Sequence, residues 1–173
     1  MIASLTGTVK SISSTSAVIE VGGIGLLVHL PPRFAASLTV GLQSTLDTTL
    51  IVREDALTLY GFENLQDREL FELLMTVTGI GPKVAQSALS VYAAENIVMA
   101  IKNEKPAILE KIPGLGKKGA HRLILELKDK VQTFSGIYAT HEKIQPFHWR
   151  DQLNDALTGL GFTQRESEKA IEV

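Results

Sequence analysis

The sequence predicts an α+β multidomain chain. It opens with a five-stranded β-barrel, continues into an all-α domain built on two helix–hairpin–helix units, and closes with a small helical module. Three observations carry this expectation. The first 62 residues run in short stretches that alternate apolar and polar side chains, the period of strands. From Glu63 the period becomes helical. Within the helical part, Thr78-Gly79-Ile80-Gly81-Pro82-Lys83-Val84-Ala85 and Pro113-Gly114-Leu115-Gly116-Lys117-Lys118-Gly119-Ala120 are nearly the same sentence written twice.

In the N-terminal part, residues 5–12 alternate and residues 17–21 follow as a second strand. Gly22-Gly23 makes a hairpin turn into a third strand over 24–30, which Pro31-Pro32 ends. Residues 34–38 predict a helical turn. Two more strands, 44–52 and 56–62, are joined by Arg53-Glu54-Asp55. Five short strands with one helical insert suit a Greek-key barrel of the oligonucleotide/oligosaccharide-binding (OB) type, although other small barrels share the pattern.

Residues 63–131 form the second part. Asn64 is placed to cap a helix running to Val77, and further helices are expected over 84–91, 95–102, 106–111 and 120–127. Residues 132–146 lack apolar periodicity and carry Ser, Gly, Thr, His and Pro, the composition of a flexible linker. The helical period returns over 147–173, where Trp149, Leu153, Ala156, Leu157 and Leu160 share a face before the turn Gly159-Leu160-Gly161-Phe162. Two short helices make an incomplete core, since a bundle this small normally needs a third.

The repeated stretches carry the chemistry. Each follows an apolar helical run and opens another, and its glycines permit positive φ and close approach of a ligand to the backbone. The helix that follows turns its unpaired N–H groups and positive dipole end outward, which suits a phosphate oxygen. A lysine stands two residues after the second Gly in both copies, at Lys83 and Lys118. Ordinary helix–turn–helix corners with Gly caps explain one such stretch; agreement of two at Gly, apolar, Gly, Lys and Ala is hard to obtain by accident. The expected DNA contacts are Gly79, Gly81, Lys83, Gly114, Gly116, Lys117, Lys118 and Arg122.

Charge distribution supports this more than net charge does. The formal total is −2, but residues 79–130 carry nine basic and five acidic side chains, against three basic and four acidic in residues 1–62. The basic excess coincides with the hairpins, as a nucleic-acid footprint should, though a solvated helical face has the same signature. Glu54 and Asp55 sit between two strands, where a polar hairpin tip is the bland alternative to a functional acidic pin.

Several classes are excluded. Without cysteine there is no disulfide, thiolate metal site or Cys nucleophile, and the four scattered histidines form no metal-binding spacing. No cofactor or metal is expected. Neither Gly-rich stretch reads GxxxxGK[ST], so no P-loop is present. Lys118 stands where bifunctional helix–hairpin–helix glycosylases keep their nucleophilic lysine. The carboxylate such enzymes need about five helical turns later is missing: Phe134, Ser135, Gly136 and Ile137 occupy that distance, and Asp129 is too close. The chain is therefore expected not to be an enzyme by itself. The N-terminus has neither a basic n-region nor a long apolar run, so a cytoplasmic, membrane-free protein is expected.

These residues together resemble the RuvA family, the bacterial Holliday-junction-binding subunits of the branch-migration complex. The resemblance spans the chain and rests on Ile19-Glu20-Val21-Gly22-Gly23-Ile24-Gly25, Val52-Arg53-Glu54-Asp55-Ala56, Leu59-Tyr60-Gly61-Phe62, both hairpins, and Gly159-Leu160-Gly161-Phe162. It implies a homotetramer built on the barrels (1–62), with an octamer on DNA as the alternative, holding a square-planar four-way junction. The double-hairpin domain (63–131) would grip the arms, and Glu54 and Asp55, beside Arg53, would form a central acidic pin. The linker (132–146) would lead to a partial, UBA-like module (147–173) that recruits the RuvB ATPase, and RuvC resolvase would join a larger complex. Two departures from the family stand out: His121, where an acidic residue is usual, and Gly119, a weak helix former.

Overall fold

The computed structural model describes residues 2–132. The linker and C-terminal module expected over 132–146 and 147–173 lie, from residue 133 on, outside the described residues.

Five strands close into a barrel: β1 (Ser4–Ser13), β2 (Ser16–Val21), β3 (Ile24–His29), β4 (Gln43–Val52) and β5 (Leu57–Phe62), in the order β1-β2-β3-β5-β4. The strands fall where alternation places them, and the order is OB-like. A six-residue helix, α1 (Pro32–Ser37), starts at the proline that ends β3. Antiparallel ladders join β1 to β2 and β4, β2 to β3, and β4 to β5. The remaining joint, parallel β3 to β5, holds by two residue pairs, Val28 with Leu59 and His29 with Tyr60.

Inward-facing side chains fill the barrel. Val9, Ile19, Val28, Leu30 and Leu46 are almost fully buried there. Gly61 is required by that filling: a Cβ would stand 2.6 Å from Val28 Cγ1 and 2.8 Å from Leu30 Cδ2. Burying these apolar surfaces is the main stabilising contribution of such a core.

The helices α2 (Leu65–Met75), α3 (Pro82–Val91), α4 (Ala94–Lys102), α5 (Pro106–Leu109) and α6 (Lys117–Leu127) enclose a second core around Leu70, Phe71, Leu74, Ile97, Ile101, Leu109, Leu123 and Leu127. Asn64 caps α2 by accepting the Asp67 N–H at 2.9 Å, as its position predicts. Two helices stop short of their expected ends. The amides of Thr76 and Val77 bond three residues back rather than four, so α2 tightens and ends at Met75. Likewise α5 gives way to turns after Leu109.

The outer face of β4–β5 carries the helices. Tyr60 and Phe62 belong to the helical core, their rings 5.1 and 4.9 Å from that of Phe71. Thr49 donates its hydroxyl to Glu72 at 2.7 Å, and Arg68 donates to the Ala3 carbonyl at 3.0 Å. Among the described residues no single helix is long and apolar enough to cross a membrane.

Candidate nucleic-acid interface

The two hairpins are one backbone device built twice, 35 residues apart. Each begins with a buried leucine, Leu74 or Leu109, whose carbonyl accepts from Val77 or Ile112. A four-residue turn follows, closed by Ile80 N–H to Val77 carbonyl in one copy and Leu115 N–H to Ile112 carbonyl in the other, both 3.0 Å. The third turn position has φ of +89° at Gly79 and +84° at Gly114, values that glycine reaches without strain. Gly81 and Gly116 then cap α3 and α6 in the same extended conformation, and both accept the first helical bond, from Ala85 and Ala120.

Burial repeats with the backbone. Val77, Ile80, Ala85, Ala88 and Leu89 are buried, as are their counterparts Ile112, Leu115, Ala120, Leu123 and Ile124. What lies between them is open. At Gly81 and Gly116 an added Cβ would meet nothing within 4 Å, so the space over both helix starts is clear. Lys83, Lys117 and Lys118 are exposed, and among the described residues none of them makes an ion pair. Lys128, by contrast, is paired with Glu104, which raises its pKa.

The hairpins also hold each other. Arg122, on α6, donates from Nη1 to the Thr78 carbonyl in the first turn at 3.2 Å, and its Nε lies 4.0 Å from Glu126. In the reverse sense, a Cβ on Gly114 in the second turn would stand 3.2 Å from Val84 Cγ2 on α3. Each turn thus touches the helix of the other unit. The Arg122–Thr78 bond spans 44 residues, and no local pattern announces it.

The two unusual residues have local roles. His121 Nδ1 is 2.8 Å from the Lys117 carbonyl; since a carbonyl only accepts, Nδ1 carries the proton. Gly119 gives room to Leu115, whose Cδ1 lies 2.9 Å from where a Cβ would be.

Arg53, Glu54 and Asp55 occupy the β4–β5 tip. The Arg53 N–H donates to the Ala56 carbonyl at 2.9 Å, which leaves Glu54 and Asp55 as a two-residue turn, both exposed. Val52 and Leu57 pair just below and are also exposed, because the tip projects past the filled barrel. Between this tip and the start of α3 runs a cleft of about 380 Å³, lined on the barrel side by Ile51, Arg53, Asp55 and Tyr60 and on the helix side by Gly81 and Lys83. The tip and the first hairpin are therefore neighbours, a juxtaposition that only the fold reveals. Among the described residues no group of three acidic or histidine side chains could hold a metal ion.

Comparison with known proteins agrees with this architecture. The family model described as the RuvA N-terminal domain matches residues 1–61, and that described as a SAM-like helix-hairpin-helix tandem matches residues 71–129. A protein of Streptomyces griseus named Holliday junction branch migration complex subunit RuvA is 44% identical, over 99% of this chain and 84% of its own length. Proteins of the same name from Thermobifida fusca and Cutibacterium acnes are 44% and 41% identical, again over 99% of this chain and over 87% of theirs.

Proposed function

Because the chain belongs to the RuvA family, we propose that it is the non-catalytic, junction-holding subunit of a Holliday junction branch migration complex. One observation supports this above all: the acidic β4–β5 tip and the first lysine-bearing hairpin form the two walls of one cleft. A plain duplex binder has no use for exposed carboxylates beside its clamp. A protein that must separate strands at a crossover does, because carboxylates repel phosphates and turn them outward.

In this reading Gly79, Gly81, Gly114 and Gly116 let the backbone approach DNA phosphates, and Lys83, Lys117 and Lys118 neutralise them. Such contacts position a duplex without reading its sequence, as a protein that acts at any junction requires. Glu54 and Asp55 are the pin, with Arg53 offsetting part of their charge. Arg122 serves the interface through the Thr78 carbonyl as much as through DNA.

The barrel, residues 1–62, assembles the subunits. Its surface exposes Ile24, Leu27, Val40 and Leu42 and carries few aromatics, which suits subunit contacts better than a strand-binding face. A tetramer would bring four pins to one axis and hold the junction open and square-planar. Residues 147–173 recruit the RuvB motor, which hydrolyses ATP, and RuvC joins to resolve the junction in the cytoplasm.

An electrophoretic shift comparing a four-way junction with linear duplex at fixed salt tests the reading. Clear preference for the junction is expected, and equal affinity would leave only a general duplex-binding module. Light scattering of the full chain at micromolar concentration should give a tetramer; a monomer would count against the assembly.

A further inference from the structure

The cleft beside the pin contains more than the two charged walls require. Its floor follows from strand register. Thr49 and Ile51 on β4 and Tyr60 and Thr58 on β5 share the outer face of the barrel, because alternate residues point the same way and Thr49 pairs with Tyr60, Ile51 with Thr58; Arg53 and Ala56 follow in the tip. At the base this face is covered by α2, where Thr49 bonds Glu72 and the Tyr60 ring stacks on Phe71. Toward the tip Ile51 and Thr58 are only half-buried, and α3 begins across the gap.

Tyr60 is the residue this layout leaves unexplained. Only 7% of its surface is exposed and its ring packs between His29 and Phe71. Its hydroxyl has no hydrogen-bond partner among the described residues, and it is not one of the fully buried polar atoms left unpaired. The hydroxyl therefore opens into the cleft that Tyr60 lines. Burial raises its pKa while Arg53 pulls it partly back, so it remains a protonated donor at neutral pH. A protonated hydroxyl at the edge of a cleft can donate to an acceptor that enters it.

The charges suggest which partner. Arg53 and Lys83 face the cleft from its two walls against the single carboxylate of Asp55, an excess of one positive charge. A phosphodiester carries one negative charge and accepts hydrogen bonds but donates none, which matches a site made of a hydroxyl, a guanidinium and an ammonium.

We propose that this cleft seats a single backbone phosphodiester of the DNA strand that passes from the pin to the first hairpin, held by Arg53, Lys83 and the Tyr60 hydroxyl. Asp55 limits the seat to one phosphate, since a second would meet its carboxylate without a matching cation. The inference rests on the junction-holding reading above and adds a contact that a continuous duplex, kept away from the pin, does not make.

The test uses the full chain and Tyr60→Phe, which removes one oxygen and keeps the ring between His29 and Phe71; a melting curve unchanged from wild type establishes that it folds. Junction affinity should fall about tenfold for each subunit that seats a strand, the loss of one hydrogen bond to a charged group, while duplex affinity stays where it was. A single methylphosphonate moved through the nucleotides flanking the crossover should weaken wild-type binding at one position per strand, and Tyr60→Phe should shrink that penalty without abolishing it, because Arg53 and Lys83 still meet the charge. Equal loss on junction and duplex, no loss on either, or a methylphosphonate penalty of unchanged size in the variant would each overturn the proposal. If the wild type prefers junctions and Tyr60→Phe is silent, only the cleft assignment falls. If the wild type shows no preference, the junction-holding reading falls with it.

Discussion

The two hairpins share a backbone and a set of buried positions and differ in what their exposed positions carry. The first opens Gly81-Pro82-Lys83-Val84, the second Gly116-Lys117-Lys118-Gly119. Pro82 fills a first-turn position where a helix has no use for its N–H, whereas Lys117 at the same place adds a cation and a donor. The first hairpin forms a wall of the cleft beside the acidic tip; no residue of the second lines it. The first start thus carries one lysine and has the acidic tip beside it, whereas the second carries two and lies away from the tip. The buried positions are apolar in both copies although the residues differ, Ala88 answering Leu123, while the exposed positions differ in charge.

The harshest way to break the shared part is to fill the space over both helix starts. Gly81→Val with Gly116→Val should reduce junction affinity roughly a hundredfold or more, about 3 kcal/mol. Both sites have ordinary negative φ and open space, so stability should fall by no more than about 1 kcal/mol per cap. Retained binding in a folded double variant would remove the hairpins from the interface.

The divergent part is sharpened by salt. Lys83→Ala should lower the slope of log affinity against log salt by about 0.9 per DNA-bound subunit, and Lys117→Ala with Lys118→Ala by about 1.8 per subunit, with no change in sequence preference. Equal slopes for the two variants would mean that the additional lysine never meets a phosphate.

A smaller effect separates the neighbourhoods. Glu54→Gln with Asp55→Asn should raise duplex affinity more than junction affinity, by several-fold, because a duplex can then approach the pin. This change should couple to Lys83→Ala, across the cleft, and simply add to Lys118→Ala. An unchanged duplex-to-junction ratio would reduce Glu54 and Asp55 to a solvated turn.

The smallest difference lies within the turns. Gly79→Ala should cost about 1–2 kcal/mol for placing a side chain at positive φ. Gly114→Ala should cost more, because its Cβ also crowds Val84. Denaturant midpoints that rank the two the other way would contradict the cross-contact between the hairpins.

Much of this was legible in the sequence because it is local. Alternation located five strands, Asn64 announced the start of α2, and Gly-apolar-Gly fixed two turns whose conformation depends only on their own residues. Helix ends were less legible, since the i−3 bonds of Thr76 and Val77 depend on how the turn that follows is packed. The arrangement of the site was not legible at all. Arg122 looks in sequence like any basic residue beside a hairpin, yet its guanidinium bonds a carbonyl in the other unit. Tyr60 reads as a core aromatic, and it is one; that its hydroxyl opens beside Arg53 follows from the pairing of β4 with β5 and the seating of α3 across them.

The short joint between β3 and β5 has a consequence for the protein's motions. Residues Ile24 to Leu27 pair with β2 on one side, but on the other the parallel ladder reaches only Val28 and His29. Half of the amides in that stretch therefore point away from any strand. In an isolated subunit, hydrogen exchange should run fastest there and slowest along β1–β2 and β4–β5, so the barrel opens like a purse at its clasp rather than loosening evenly. Any assembly that covers this stretch would close the clasp, and the slowing of exchange on association would report where the neighbour sits.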